Sequence, residues 1–245
     1  MANDETVWII GASDGIGEAL AREWAARGAR VILSARSEEK LKSLAVGLGP
    51  EHVAVSLDVA DRESLDAAAR RITELGPIDR VVHLAAAYDP GKIVEIDPVK
   101  AAQIVSINLT GSFHIAQVAP SLLREGGQLA LCGSVAGYFG LPQGQIYSAT
   151  KAGVINLAES LRSELKDKVD VRLISPGFVD TRLTRRNNFE MPGILTPEKA
   201  AVAIIDGLAG KRFEIHFPWR FTMGIKFLQL IPYWISLRLT RRLVQ

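Results

Sequence analysis

Seven short β-rich runs alternate with amphipathic stretches along most of the chain, and that order leaves few folds open. Val7–Ile10, Arg30–Leu33, Val53–Leu57, Arg80–Leu84, Gln128–Leu131, Val171–Ile174 and Phe213–Phe217 read as strands. Gly15–Arg27, Arg62–Leu75, Leu109–Arg124, Tyr147–Leu165 and Pro197–Leu208 carry the helical patterns between them. Strict alternation implies a parallel sheet with helices on both faces, so the expected class is α/β, a doubly wound parallel sheet of about seven strands. No repeat, low-complexity run or linker interrupts the series, and one such domain is ordinary for 245 residues. In sheets of this kind ligands bind beyond the carboxyl ends of the strands, where the strand order switches. Gly11–Gly17, Asp58, the segment after Leu84 and Ser134 all fall just past predicted strand ends.

The stretch GASDGIGEAL follows the first strand. Its glycines, Gly11, Gly15 and Gly17, let a ligand approach the main chain, and the free N–H groups of a following helix attract phosphate. The spacing Gly-x-x-x-Gly-x-Gly is neither the Gly-x-Gly-x-x-Gly fingerprint nor a phosphate loop ending in Gly-Lys-Ser/Thr. A turn made of glycine only for packing is the alternative.

Bulk properties exclude several classes. A net charge of +2 with 23% charged residues does not suggest a general nucleic-acid binder. The opening MANDETVWII has acidic residues and runs straight into a strand, so no signal peptide is expected. A single cysteine, Cys132 in the apolar run QLALCG, can form no intrachain disulfide and fits a reducing compartment, here the cytoplasm. His52, His83, His114 and His216 lie far apart without ligand spacing, so no metal site is assigned.

The reacting groups are sought in GSVAGYFGLPQGQIYSATKAG. Tyr147 and Lys151 stand four apart on a predicted helix, on one face, with Cβ atoms about 5–6 Å apart. A free tyrosine titrates near pKa ~10; a neighbouring cation favours the phenolate and makes it a usable acid and base. Ser134, just beyond a strand, could donate to the same substrate oxygen. As a lone pattern Tyr-x-x-x-Lys is often only a solvated helix pair; joined to the serine and the glycine turn it describes carbonyl/alcohol redox chemistry.

With these residues assembled, the chain resembles the short-chain dehydrogenase/reductase family, single-domain type, over about residues 6 to 217. The matching pieces are IGASDGIG, LDV around Asp58, INLTG around Asn108, the Ser134–Tyr147–Lys151 set and SPGFVDT around Pro176–Thr181. The resemblance implies a Rossmann-like sheet and an NAD(P)-dependent enzyme. It implies that Ser134 orients the substrate carbonyl and Tyr147 transfers the proton. Lys151 would bind the nicotinamide ribose and lower the tyrosine pKa, and Asn108 would hold a water that relays protons to Lys151. Asp58 would bind the adenine amino group, with Pro176, Gly177 and Thr181 flanking the nicotinamide. Ser13, Asp14, Ile16, Val59, Ala85 and Val179 join the cofactor-binding set alongside the three glycines and Arg36. Structural alternatives exist for Asn108 as a helix cap, Asp58 as a strand closure and Pro-Gly as a turn.

The chain departs from the family at two neighbouring places. Ile10-Gly11 stands for Thr-Gly, and His83-Leu84-Ala85-Ala86 for Asn-Asn-Ala-Gly. A polar link between strands exchanged for apolar packing is the expectation, and the Ala86 methyl would lower cofactor affinity. The expected cofactor is NADP rather than NAD. An NAD enzyme usually carries an acid about 20 residues past the glycine turn. Here LSARS places Arg36 there, with Ser34 or Ser37 able to add a bond to a 2′-phosphate; Asp14 is a mild counter-signal.

The function expected is hydride transfer between NADP(H) and a carbonyl or alcohol, apolar or lipid-like. The alternative is a non-catalytic NADP-binding sensor or interaction protein on the same fold, favoured only by the altered 83–86 segment. A sugar epimerase would need an extra substrate domain. The segment Asp180–Thr196 should close over the substrate, and its Arg182, Arg185, Arg186, Phe189 and Met191 suit an anionic head with an apolar tail. Apolar positions on more than one face of Leu109–Arg124 and Tyr147–Leu165 point to a homo-oligomer.

Residues 1–218 are read as the dinucleotide-binding and catalytic domain and 219–245 as an extension. From Trp219 onward there is no Asp or Glu, while Arg220, Lys226, Arg238, Arg241 and Arg242 are basic. Thr222, Lys226, Gln229, Tyr233, Ser236 and Thr240 form one narrow polar stripe on an otherwise apolar helical surface. Phe227–Leu237 is too short to span a bilayer, and Pro232 would break it. A basic amphipathic segment lying on a membrane surface is expected, the alternative being a cover for the pocket or a neighbouring subunit.

Overall fold

Strand β1 (Thr6–Ile10) shows how the sequence builds two cores from one sheet. Successive side chains on a strand point to opposite faces. Val7 and Ile9 join one buried cluster with Leu20, Trp24, Leu33, Leu41 and Ile204. Trp8 and Ile10 join the other, with Ile32, Leu65, Ile115 and Val154. The computed structural model describes residues 5–241.

The remaining strands are β2 (Arg30–Ser34), β3 (Val53–Ala54), β4 (Ile78–His83), β5 (Leu123–Cys132), β6 (Asp170–Pro176) and β7 (Glu214–Phe217). They form one sheet in the order β3-β2-β1-β4-β5-β6-β7, every pairing parallel, as the alternating pattern predicts. Strand order reverses between β1 and β4, so a crevice opens past their carboxyl ends. The first cluster packs under helices α1 (Gly15–Ala26), α2 (Glu38–Leu48) and α7 (Pro197–Ala209). The second lies under α3 (Arg62–Thr73), α5 (Gly111–Leu122) and α6 (Gln145–Glu164). Helix α4 (Pro98–Val105) runs through a π-helical turn, Ser106–Thr110, into α5.

Several boundaries differ from the sequence reading. Helices α2 and α4 were not among the expected elements, although α2 buries Leu41, Leu44 and Ala45 at helical spacing and α4 opens with Asp97-Pro98. Strand β3 is two residues long; Val55 and Leu57 still bond the carbonyls of Leu33 and Ala35, but as an irregular extended segment. The chain from Leu123 onward belongs to β5, so the predicted helix to Arg124 ends at Leu122.

Beyond β7 come α8 (Trp219–Leu230) and α9 (Tyr233–Thr240), broken at Pro232. Their polar stripe faces the protein. Thr222, Ser236 and Thr240 are buried, Lys226 pairs with Glu214, and Gln229 donates to the Tyr138 carbonyl at 2.5 Å. Tyr233 departs from the expected stripe and is exposed. Among the described residues no helix is long and apolar enough to cross a membrane.

The outer end of the sheet is tied by a charged cluster. Arg172 is buried and donates to both Asp170 carboxylate oxygens at 2.9 Å and to the Arg212 and Gly210 carbonyls. Burial pushes the Asp170 pKa up, but hydrogen bonds from Arg172, Arg162 and Gln128 outweigh it and hold it at about 2. A carboxyl depressed on folding stabilises the fold above its unfolded value and loses that contribution as pH falls through the folded one. Acid titration should therefore erode stability from pH about 3.9 down to about 2. Asp170→Asn, which leaves the Arg172 charge buried without its counter-ion, should cost about 3 kcal/mol and flatten that acid limb. Denaturant melts of both proteins across this range check it; an unchanged limb in the variant would assign the acid sensitivity elsewhere.

Candidate active site

A cleft of about 580 Å³ opens past the carboxyl ends of the central strands. The glycine turn after β1 forms one wall, and packing demands its glycines. A Cβ on Gly11, at φ +92°, would stand 2.6 Å from the Ala85 nitrogen. A Cβ on Gly17 would collide with the Gly11 carbonyl, so the first turn of α1 sits directly on that peptide. The packing alternative raised for the turn is thus realised, and it is compatible with a ligand there. Asp14 caps α1 without a side-chain cap hydrogen bond, leaving the first-turn N–H groups to other acceptors. Asp14 pairs instead with Arg182 across the cleft at 3.0 Å.

Gly11, Ser13, Asp14, Gly15, Ile16 and Gly17 line this wall, and Arg36, Asp58, Val59 and Ala85 continue it. The Asp58 carboxylate accepts from the Ala60 N–H at 3.0 Å, so one oxygen closes its turn. The opposite wall holds Pro176, Gly177, Val179 and Thr181. Ser34 does not reach the cleft. It is fully buried, accepts from the Trp8 indole at 2.9 Å and donates to the Val55 carbonyl at 2.7 Å. A strand residue at that position points into the core, which removes it from any phosphate-binding set. Ser37 lines the cleft, and so does Lys40, which the sequence reading missed along with helix α2.

At the deep end stand Ser134, Tyr147 and Lys151. Ser134 leaves β5 in extended conformation and its Oγ accepts from the Ala136 N–H at 3.1 Å, so its own proton is available to another acceptor. Lys151 is buried, with Nζ 5.7 Å from the Tyr147 ring centre and donating to the Cys132 carbonyl at 2.7 Å. Burial raises the Tyr147 pKa well above its ordinary value, a Cys132 thiolate would add to the rise, and the Ser134 hydroxyl pulls it partly back, so the lowering by Lys151 expected from the sequence is not what this site shows. Burial lowers the Lys151 pKa and raises that of Cys132. Tyr88, absent from the sequence reading, meets the Tyr147 ring edge-on at 4.8 Å and donates to the Asn187 carboxamide oxygen at 2.7 Å.

Asn108 is fully buried in the π-helical turn, behind the cleft wall. Its amide mimics a backbone partner. Oδ1 accepts from the Ala87 N–H at 2.7 Å and Nδ2 donates to the Ala87 carbonyl at 2.9 Å. Nδ2 also donates to Thr150 Oγ1, which in turn donates to the Tyr147 carbonyl at 2.7 Å. A π-turn at a functional site is a recurring device, because it redirects one side chain without ending the helix.

At the altered 83–86 segment, Ile10 is buried opposite His83 in the β1–β4 register. The His83 ring nitrogens have no hydrogen-bond partner among the described residues. Burial, reinforced by the Lys151 charge, lowers its pKa to about 3. The expected apolar packing is therefore reached at this position by a neutral imidazole. Ala86 lines the cleft.

Comparison with known proteins accords with this geometry. The profile of the "short chain dehydrogenase" family matches residues 5–191. Uncharacterised oxidoreductases of Staphylococcus epidermidis and Staphylococcus aureus are 32% and 33% identical, covering 82% and 84% of this chain and 89% and 91% of theirs. Among solved structures, an alcohol dehydrogenase of Thermococcus sibiricus complexed with 5-hydroxy-NADP superposes with a TM-score of 0.79 at 28% identity, covering 87% of this chain and 96% of its own. A Sphingobium yanoikuyae short-chain dehydrogenase in complex with NADPH gives 0.78 at 26%, over 90% and 92%. The fold alone is also shared with a Burkholderia phymatum short-chain dehydrogenase/reductase (TM-score 0.82, 22% identity, 92% and 94% covered). A doubly wound parallel sheet with its cleft at the β1–β4 switch defines the broad class of Rossmann-like proteins. Within that class the chain belongs to the short-chain dehydrogenase family and is an oxidoreductase.

Removing the Asn108 amide would leave the Ala87 N–H and carbonyl unpaired. Asn108→Ala should cost about 2–3 kcal/mol of stability, read as a lowered denaturant midpoint at unchanged slope. A midpoint within error of the unmodified protein would show that the Ala87 groups find other partners.

Proposed function

We propose that the chain transfers a hydride between NADP(H) and a carbonyl or alcohol substrate, with Tyr147 as proton donor and acceptor. The observation that carries the reading is the deep end of the cleft, where the Tyr147 phenol meets the Ser134 hydroxyl and Lys151 Nζ stands 5.7 Å from the tyrosine ring centre. A bound nicotinamide would supply or take the hydride. The cleft fits such a cofactor: uncapped helix N–H groups for the pyrophosphate, Arg36, Ser37 and Lys40 for a ribose phosphate, and Lys151 near the Tyr147 ring for the nicotinamide ribose. Solved neighbours complexed with 5-hydroxy-NADP, NADPH and NAD support a nicotinamide cofactor, and the choice of NADP rests on Arg36, Ser37 and Lys40. The competing reading, a non-catalytic sensor, rests only on the 83–86 segment.

In this scheme Ser134 donates its free proton to the substrate oxygen, and the neutral Tyr147 phenol gives its proton to that oxygen as it gains charge. The reverse direction needs the phenolate, which a buried site disfavours unless the lysine cation compensates. Carbonyl reduction should therefore stay flat from neutral to mildly alkaline pH, while alcohol oxidation should climb as pH rises. Tyr147→Phe should lower kcat at least about a hundredfold in both directions, the scale of one acid/base group, and leave cofactor binding intact. Initial rates in the two directions across pH test this. A variant that keeps its kcat would remove Tyr147 from the chemistry.

The substrate side favours an apolar or lipid-like molecule. The arginines expected to hold an anionic head are engaged: Arg182 with Asp14, Arg185 with Asp180, Arg186 with Asp89. Phe189 of the same segment meets Phe178, just before it, edge-on with ring centres 5.8 Å apart. We read residues 1–218 as the catalytic domain and 219–245 as its extension, in a cytoplasmic protein. Self-association through α5 and α6 is supported by the exposed Phe113, Ala149 and Ala152 on those helices.

NADP preference should rest on Arg36 and Lys40. Replacing both by alanine should lower kcat/KM with NADPH about thirtyfold, as loss of a charge-assisted hydrogen bond predicts, and leave the NADH value nearly unchanged. A preference for NADH in the unmodified protein would overturn the assignment.

A further inference from the structure

Helices α8 and α9 are amphipathic in the reverse sense for a protein of this kind: the polar stripe packs inward and the apolar surface faces out. Leu230 is 81% exposed, Tyr233 76%, Trp234 73% and Phe227 59%; Trp219, Met223, Leu237 and Leu239 are also exposed. A set of polar contacts fastens α8, beside the packing of Phe221 on Phe178. Thr222 Oγ1 lies 2.6 Å from His216 Nδ1 and donates to the Trp219 carbonyl, Lys226 pairs with Glu214, and Gln229 reaches the Tyr138 carbonyl. Contiguous exposed apolar surface on this scale marks a contact with something outside the chain.

We propose that this outward face docks the protein on an anionic lipid bilayer. Three observations favour that occupant. Trp and Tyr, the aromatic residues that prefer the boundary between headgroups and acyl chains, sit on the face itself. Arg220, Arg238 and Arg241 are exposed around it, and no residue from Trp219 onward is acidic. A second copy seated on this face by a two-fold axis would bring those arginines against their own equivalents with no carboxylate from the segment between them. Lipid phosphates supply the missing countercharge, and lying flat needs no helix long enough to span.

The docked face adjoins the substrate end of the cleft. The Phe221 ring of α8 lies 5.4 Å from Phe178, and a Cβ on Gly177, which lines the cleft, would touch it at 3.0 Å. Phe189 and Ile194, exposed in the segment between Asp180 and Thr196, extend the apolar surface toward that opening. The protein would thus sit with the substrate side of its cleft near the membrane.

The test uses the full-length protein and does not depend on turnover, so it stands apart from the nicotinamide assignment. Phosphatidylcholine vesicles with and without phosphatidylglycerol are sedimented at low and high salt, and tryptophan emission is followed. The expected result is co-sedimentation with the anionic vesicles at low salt, a blue shift from Trp219 and Trp234, and release by salt. Arg238→Gln with Arg241→Gln should weaken partition about thirtyfold, the scale of two surface charges. Leu230→Ser with Trp234→Ser should abolish it while melting temperature stays unchanged, since both side chains already face water. Protein that stays in the supernatant, or a Leu230/Trp234 variant that binds vesicles as well as the parent, overturns the proposal. Light scattering adds a further arm: a variant that changes oligomeric state would assign the face to a second copy instead.

Discussion

The pairing of the Asn108 amide with the backbone of Ala87 holds the site together. It joins a helix to the loop that leaves β4, in a place where neither helix nor strand geometry could satisfy that peptide. Through Thr150 the same amide reaches the Tyr147 carbonyl, so the turn that carries the phenol is registered against the central sheet. The amide that makes these bonds sits in the π-turn, a local departure from the regular helix that is frequent at functional sites. Sheet, loop and reacting helix are thereby fixed relative to one another by three hydrogen bonds from one side chain.

Around that anchor the reacting groups are buried or half-buried, and no carboxylate pairs with Lys151 among the described residues. Burial drives Tyr147 and Cys132 toward their protonated forms, Lys151 toward its neutral form, and leaves His83 neutral. Desolvation penalises every charge in such a chamber, so each group is poised rather than committed. Lys151 has a carbonyl, not a carboxylate, as its hydrogen-bond partner, and its positive charge is left to act on whatever lies beside the phenol. The same low polarity suits an imidazole that stands between Ile10 and Leu131 with no hydrogen-bond partner among the described residues.

Much of this was legible in the sequence because its signals are local and periodic. Alternating strand and helix runs specify a parallel sheet, and the glycine spacing marks a closely approached main chain, read there as a ligand's approach and met in the structure also by the Ala85 backbone. Tyr147 and Lys151 are four apart and need only a helix to be brought together. Groups that arrive through tertiary contact were not legible. Lys40 comes to the cleft on a helix whose weak pattern concealed it, and Tyr88 from a loop with no pattern at all. Ser34 was misjudged because facing direction on a strand depends on register, which composition does not encode. In the tail the polar stripe was visible, but which side of it met the protein was not, since burying the apolar side is the ordinary outcome.

Because α8 is held by its inner side, through Thr222, Lys226, Gln229 and the half-buried Phe221, the outward residues carry little of the folding free energy. Thr222, Lys226 and Gln229 must keep their identities to hold the helices against β7 and Tyr138, whereas Leu230, Tyr233 and Trp234 contact mostly water. Drift in a lineage would therefore be restrained on the two sides of one helix pair by different pressures. The inner side answers to folding and the outer side only to what it meets, so the surface can be respecified without retuning the catalytic domain.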